Sequence, residues 1–148
     1  MAQGRVVLAS DHGGFALKEA LKAHLHNRGT EVLDVGTHSK DSCDYPVFAR
    51  AAAVAGAEGR AWRGVIIDGA GIGSSMVANK VPGVRCGMAF NAATARNARE
   101  HNDANVLTLG AGYLDVATAT EIVDIFLSTD CTVDRHRRRV AADPRAGP

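Results

Sequence analysis

The chain has 148 residues, which corresponds to one domain large enough to bury a core without disulfides or metal. Its 17 basic and 16 acidic residues give a net charge of +1, which argues against a dedicated nucleic-acid binder. No apolar stretch approaches the roughly 18 residues of a transmembrane helix, and the apolar run at 6–9 is too short for a signal peptide. The cysteines, Cys43, Cys86 and Cys131, are far apart, so we expect free thiols, no zinc site and a cytoplasmic location.

Short apolar runs alternate with helical patterns from the N-terminus onward. Strands are predicted at residues 6–9, 31–35, 64–68, 84–90 and 105–109. Helices are predicted from 15 to the closing residues 27–29, then at 47–57, 74–80, 92–100, 116–126 and about 133–142. This alternation predicts a single α/β domain over residues 1–142, with a five-stranded parallel sheet between helices on both faces. Residues 143–148 have the composition of a flexible tail.

Two polar segments follow predicted strands, at the edge of a parallel sheet where ligands bind. Asp11-His12 follows strand one, and a glycine loop, Asp68-Gly69-Ala70-Gly71-Ile72-Gly73-Ser74, follows strand three. Glycines let a loop turn its N–H groups toward a ligand, and the next helix N-terminus favours negative charge. The spacing is not a dinucleotide fingerprint, and Lys80 lies too far on for a P-loop. The loop is interpreted as an anion hole for a phosphate or an enediolate, or as a tight turn without a ligand.

Other polar residues carry candidate chemistry with open alternatives. Asp11 is either a ligand group or a cap of the first helix, and His12 is a ligand candidate at a strand end. His101, in a polar run before strand five, is either an acid–base group or part of a polar helix end. Arg135 and Arg139 are four residues apart, so they share one helix face that either holds a phosphate or faces solvent.

The order of these motifs resembles that of the ribose-5-phosphate isomerase B family, which includes both galactose-6-phosphate isomerase subunits. The resemblance covers about residues 4–142 and rests on Asp11-His12-Gly13-Gly14, Asp44-Tyr45-Pro46, the glycine loop with Ala78-Asn79-Lys80, His101-Asn102-Asp103, and Arg135-His136 with Arg139-Val140. It implies a three-layer α/β/α Rossmann-like sandwich, assembled as a homodimer or homotetramer with sites at the subunit interface. It also implies aldose–ketose isomerisation of a phosphorylated sugar without a cofactor, and no metal is needed if the backbone donors suffice.

The resemblance further implies individual roles. His101 resembles the residue that opens the sugar ring, and the loop N–H groups, with Gly69, Gly71 and Gly73, resemble the hole that holds the enediolate. The implied phosphate contacts are His12, Arg135 and Arg139, with the arginines reaching across from the partner chain. Asp11 and Asn102 resemble groups that orient the sugar hydroxyls. The other implied substrate-binding residues, Tyr45, Ala70 and Ser74, belong to the same cleft.

The chain also departs from the family pattern. Asp68 stands where many members have a cysteine base, and Ser74 stands where others have a glutamate. Ala70 replaces a hydroxyl residue and Gly112 an arginine. Asp68 is therefore the predicted base, since a carboxylate can move a proton between carbons. Neither Cys86, inside strand four, nor Cys43, in a distant loop, is an obvious substitute, but Cys43 is kept as an alternative because it is near Tyr45.

Three functions remain open at this point. The first is a sugar-phosphate isomerase that uses Asp68 as its base. The second is a companion subunit, inactive without a paralogous partner, because the stretch around Asp68 resembles the galactose-6-phosphate isomerase A subunit. The third is a generic phosphate or nucleotide-binding module, which rests on fold analogy alone.

Overall fold

The computed structural model describes residues 4–144, which contain five strands and six helices. The strands are β1 (Val6–Ser10), β2 (Val32–Asp34), β3 (Arg63–Asp68), β4 (Cys86–Met88) and β5 (Val106–Gly110). The helices are α1 (Phe15–Asn27), α2 (Tyr45–Ala57), α3 (Ile72–Ala78), α4 (Ala92–Glu100), α5 (Val116–Ser128) and α6 (Asp134–Ala141). Residues 145–148 of the predicted tail lie outside the described residues.

All neighbouring strands are parallel, and their order in the sheet is β2-β1-β3-β5-β4. The chain therefore adds strands on one side of β1 first and on the other side afterwards. This reversal leaves the carboxyl ends of β1 and β3 side by side, with Ser10 opposite Ile67. A crevice at such a reversal is where ligands bind in open parallel sheets, and both polar segments from the sequence open at this point.

The sheet separates two apolar cores, as alternation along each strand requires. On one face, Val6 and Leu8 pack with α1, α4 and α5. On the other face, Val7 and Ala9 pack against α2 and α3, where α2 presents mainly alanines and so lies close to the strands. The predicted three-layer α/β/α architecture is confirmed.

Strand β4 is shorter than the predicted run at 84–90. It lies at the edge of the sheet, and its outer side at Cys86 is covered by the Asn79 side chain, which donates to the carbonyl of Cys86 and accepts from its N–H. The chain leaves the strand early because the N–H groups of Phe90 and Asn91 turn to the Thr94 hydroxyl. Asn91 accepts in return from the N–H of Thr94, so the predicted cap of α4 is confirmed as a capping box.

The helices described between residues 4 and 144 are all too short or too polar to traverse a lipid bilayer.

Candidate active site

The glycine loop is held tightly at the carboxyl end of β3. Gly71 has a φ of +79°, in the left-handed region, and a Cβ there would lie 3.1 Å from the carbonyl carbon of Leu109. Gly73 faces the first residue of α2, since a Cβ on it would come within 2.6 Å of the Tyr45 ring. Both positions therefore need glycine, one for its backbone conformation and one for the close approach of an aromatic ring.

Four N–H groups of the loop have no acceptor among residues 4–144. They belong to Gly69, Ala70, Ile72 and Gly73. Gly69 and Ile72 are exposed and the other two are partly exposed, so a ligand can reach them. Fixed backbone donors of this kind stabilise negative charge that develops on an oxygen atom.

Asp68 closes the loop from beneath. Its Oδ1 accepts the N–H of Gly71, and its Oδ2 accepts both the N–H of Ser74, at 3.1 Å, and the Ser74 hydroxyl, at 2.7 Å. The residue is only 5% exposed. The carboxylate is turned toward the loop and the first turn of α3, where it supports the backbone that carries the four N–H groups.

Asp11, His12 and Tyr45 lie beside the loop, and with residues 68–74 they form what we call the loop cluster. Asp11 Oδ1 accepts the N–H of Gly14 at 3.0 Å, so it closes the turn that leads into α1 without being the helix cap itself. The N–H of Cys43 donates to His12 Nδ1 at 3.2 Å. Because a backbone N–H can only donate, the neutral His12 ring carries its proton on Nε2, where it can serve an anionic ligand.

A buried ion pair fixes the backbone next to the loop cluster. Lys18 is fully buried in α1, and its Nζ lies 2.6 Å from Asp34 Oδ2. Asp34 Oδ1 accepts the N–H of Gly36, whose carbonyl accepts from Ser10 at the end of β1. Burial raises the pKa of Asp34, but hydrogen bonds from Lys18, Lys22 and Gly36 outweigh it and hold the pKa at about 2.

A second group of polar residues, the histidine cluster, comprises His101, Asn102, Arg135, His136 and Arg139. His101 follows the last residue of α4 and stacks on His136 of α6, with ring centroids 4.0 Å apart and planes at 20°. His136 is buried beneath it. Burial, His101 and the two flanking arginines hold the pKa of His136 below its ordinary value.

The two clusters lie at opposite ends of the sheet. Asp68 pairs with Gly110 at the carboxyl end of β5, whereas His101 and Asn102 precede the amino end of that strand. The five residues of β5 alone separate the two ends by about 13 Å. A single copy of the chain therefore does not bring all the predicted site residues together, because each helix runs back along the sheet and returns its last residue to the opposite edge.

The three cysteines differ in what they can do. Burial raises the pKa of the Cys86 thiol to about 12, with a further contribution from nearby Asp68, so this thiol stays protonated. Cys131 is buried. Cys43 is partly exposed, and its Sγ lies 3.9 Å from His12 Nδ1, so it is the one of the three that reaches the loop cluster. Within residues 4–144 no group of three potential ligands is placed to hold a metal ion.

Comparison with known proteins decides the family. The family model described as Ribose/Galactose Isomerase matches residues 6–142. The chain belongs to this family. It is 43% identical over 138 residues to ribose-5-phosphate isomerase B of Mycolicibacterium paratuberculosis, covering 92% of this chain and 87% of that one. It is 40% identical to the Escherichia coli protein of the same name, covering 93% of each.

Solved structures agree with this assignment. Ribose-5-phosphate isomerase B of Clostridium thermocellum has a TM-score of 0.91 at 44% identity, covering 93% of each chain. The Mycoplasma genitalium protein of the same name, solved with bound ribulose-5-phosphate, has a TM-score of 0.88 at 34% identity, covering 95% of this chain and 94% of that one. The resemblance inferred from the sequence motifs is thus confirmed, and with it the prediction of a sugar-phosphate isomerase.

Proposed function

We propose that this chain is a cofactor-independent aldose–ketose isomerase that interconverts ribose 5-phosphate and ribulose 5-phosphate, or a closely similar sugar phosphate, in the cytoplasm. The observation that carries the proposal is the glycine loop, four of whose N–H groups have no acceptor in residues 4–144. The names of the relatives, and the ribulose-5-phosphate bound to the Mycoplasma genitalium protein, support the choice of substrate.

The reaction needs a base and a set of hydrogen-bond donors. A base removes the proton from C2 of the open-chain aldose, and the same proton, or one from solvent, is returned to C1 of the enediol. Negative charge develops on the substrate oxygen during both transfers. The N–H groups of Gly69, Ala70, Ile72 and Gly73 are the proposed donors that stabilise it.

Asp68 is the proposed base, and its surroundings set a condition on that role. Its two oxygens accept three hydrogen bonds from Gly71 and Ser74. The carboxylate must release at least one of them and turn outward before it can reach a substrate carbon. Asp68 also acts as the support of the loop, so substitutions there must separate these two contributions.

The proposed assembly is a homodimer, or a homotetramer built from such dimers, in which the site is shared. The loop cluster of one copy supplies Asp11, His12 and Tyr45, and the histidine cluster of a second copy supplies His101, Asn102, Arg135 and Arg139. The separation of the clusters in one chain supports this arrangement. Apolar side chains exposed around the loop cluster also support it, since a partner would cover them: Ile72, Met76, Phe90 and Tyr113, which are 50–80% exposed.

A specific observation favours a second candidate, the companion subunit. Both oxygens of Asp68 are engaged, while Ala70 and Gly112 lack the side chains that the family pattern places there. Such a chain binds sugar phosphate in its loop but needs a cysteine-bearing paralogue for turnover. Activity of the purified chain alone separates the two candidates.

The test is an isomerase assay of the purified chain on ribose, allose, galactose and tetrose phosphates, with Asp68→Asn and Ser74→Ala as variants. Ser74→Ala is the matched control, because it removes one hydrogen bond of the support without removing the carboxylate. We expect the wild type to act on ribose 5-phosphate. We expect Asp68→Asn to lose at least about a thousandfold in kcat, and Ser74→Ala about tenfold.

Two results would overturn parts of this proposal. If the wild type converts none of the sugar phosphates but gains activity with a co-purified paralogue from its host, the companion subunit is correct. If Asp68→Asn loses no more kcat than Ser74→Ala, Asp68 only supports the loop, and Cys43 becomes the next candidate base.

A further inference from the structure

Asn97, on α4, contacts two residues of the histidine cluster but has no part in the reaction described so far. It lies four residues before His101, so the two side chains share one face of the helix and its end. Its amide nitrogen lies 3.2 Å from His101 Nδ1, and its amide oxygen lies 2.9 Å from the side-chain nitrogen of Asn102. Asn97 thus joins the proposed ring-opening residue to a proposed substrate contact.

The hydrogen bonds around Asn97 fix which atom donates. The side chain of Asn102 also contacts the backbone carbonyl of Asn97, at 3.4 Å, and a carbonyl can only accept. The Asn102 atom is therefore its NH2 group, and the Asn97 atom that it meets at 2.9 Å is the amide oxygen. The remaining Asn97 atom is the NH2 group, so His101 Nδ1 is an acceptor and carries no proton.

The same contacts leave one polar atom of the His101 ring for a ligand. His101 is exposed, one face of its ring stacks on His136, and its Nε2 has no acceptor among residues 4–144. With Nδ1 occupied by Asn97, the proton of the neutral ring sits on Nε2. A free imidazole exchanges between two tautomers, and the hydrogen bond at one nitrogen decides between them.

We infer that Asn97 is a positioning residue that holds His101 as the Nε2–H tautomer and turns that N–H toward the ring oxygen of the sugar. The inference rests on the proposed function, in which His101 opens the ring. In that step the bond between C1 and the ring oxygen breaks, and a water molecule takes the proton of the C1 hydroxyl and passes one to the ring oxygen. The ring oxygen accepts a hydrogen bond from Nε2–H meanwhile, so His101 stays neutral. A ring with its proton on Nδ1 has no N–H to present to the ring oxygen.

Charged groups from both packed helices act on His136, the ring that stacks on His101. His136, Arg135 and Arg139 lie on the α6 side, and Glu100 lies next to His101 at the end of α4. The two arginines oppose a positive charge on His136, whereas Glu100 favours one. A neutral side chain such as Asn97 selects a tautomer without adding to either influence, and a carboxylate in its place would shift the balance toward the charged ring.

The experiment measures tautomer and kinetics in the full-length protein. The variants are Asn97→Leu, Asn97→Asp and the control Arg96→Leu, which changes an exposed neighbour outside the cluster. Protein labelled with 15N-histidine is examined by NMR, and the His101 signals are identified by their loss in His101→Gln. In the wild type we expect a pyridine-type signal at Nδ1 and a pyrrole-type signal at Nε2.

Kinetics on ribose 5-phosphate give the second readout. We expect Asn97→Leu, which loses its side-chain contacts with both His101 and Asn102, to lower kcat about five- to tenfold. In Asn97→Asp the new carboxylate accepts a hydrogen bond from Nδ1–H and so favours the charged ring. The limb of the kcat–pH profile that belongs to His101 therefore moves to higher pH. In a His101→Gln background both Asn97 substitutions should have no further effect.

The outcomes separate this inference from the proposed function. Two outcomes would overturn the role of Asn97: a pyrrole-type signal at Nδ1 in the wild type, or Asn97 variants whose kcat and pH profile match those of Arg96→Leu. Neither outcome contradicts the proposed isomerase function. If the wild type isomerises no sugar phosphate, the proposed function fails, and the NMR signals still decide whether Asn97 sets the tautomer.

Discussion

The loop cluster and the histidine cluster are built in different ways. The loop cluster consists mainly of backbone, supported by a buried carboxylate and held against β5 and the Tyr45 ring. The histidine cluster consists of side chains at the ends of α4 and α6, exposed except for His136, on which the His101 ring stacks. The loop cluster is thus complete within one copy, whereas in the proposed assembly the histidine cluster meets the loop cluster of a second copy.

The comparison predicts its largest effect when the loop cluster is damaged in one variant and the histidine cluster in another, and the two are then mixed. Gly71→Ala distorts the loop, because its φ is +79° and the contact with Leu109 is backbone. His101→Gln removes the proposed ring-opening group. Each variant alone should lose about a hundredfold or more in kcat. If the site is shared in a homodimer, mixing them one to one after dissociation should restore about a quarter of the wild-type activity.

The control for this experiment is Gly56→Ala, whose added Cβ meets nothing within 4 Å and whose φ is not positive. It should keep full activity. Mixed variants that remain as inactive as either parent, under conditions where native mass spectrometry shows mixed dimers, would show that the clusters do not meet across an interface.

The anchoring of the loop cluster can be tested through Lys18. Lys18→Met leaves Asp34 buried with only Lys22 as a charged partner, so the free energy of unfolding should fall by about 3 kcal/mol. The exposed pair of Arg5 and Glu31, at 2.7 Å, is the matched control, and Arg5→Ala should cost less than about 1 kcal/mol. Equal losses in urea unfolding would mean that burial of this pair is unimportant for the loop.

The pH dependence of the free energy of unfolding tests the same ion pair through Asp34. The folded pKa of Asp34 is about 2, below the ordinary 3.8, so its pairing stabilises the fold above about pH 4 and this contribution is lost as the pH falls through 2. Urea unfolding between pH 5 and pH 2 should therefore show a smaller loss of stability for Asp34→Asn than for the wild type. Parallel curves would indicate that Asp34 is not paired in solution.

The smallest effect is expected at the start of the helix that carries the histidine cluster. Asn91→Ala removes the cap of α4, and the free energy of unfolding should fall by about 1 kcal/mol. Because α4 is held by its packing on α5 as well, kcat should change less than twofold. A large loss of kcat without a loss of stability would show that the histidine cluster depends on the order of this helix end.

The sequence pattern predicts the loop cluster better than the histidine cluster. Glycines at 69, 71 and 73 after an apolar strand identify a backbone-built pocket, and the alternation of elements places Asp11 beside it. The pattern does not reveal that Asp68 turns beneath the loop, since a carboxylate at a strand end either faces a ligand or accepts from the following turn. That choice depends on how the next helix begins.

The position of His101 shows the second limit of prediction from sequence. Its polar surroundings leave an acid–base group and a polar helix end both open, and the family resemblance favours the first. Only the sheet order shows that it lies at the opposite end from Asp68. The sequence does contain one indication of the contact between Asn97 and His101, which is their spacing of four residues. An asparagine on an exposed helix face is so common that spacing alone does not distinguish a positioning residue from a solvated one.

The side chain of Asn79 has a consequence for how copies of this protein can associate. By hydrogen bonding to both backbone groups of Cys86, it takes the place that an added strand would need at the border of the sheet. Growth of the sheet into a continuous ribbon of copies is therefore disfavoured on that side. In the proposed assembly, copies instead meet at the rims where strands end, which carry the loop cluster and the histidine cluster.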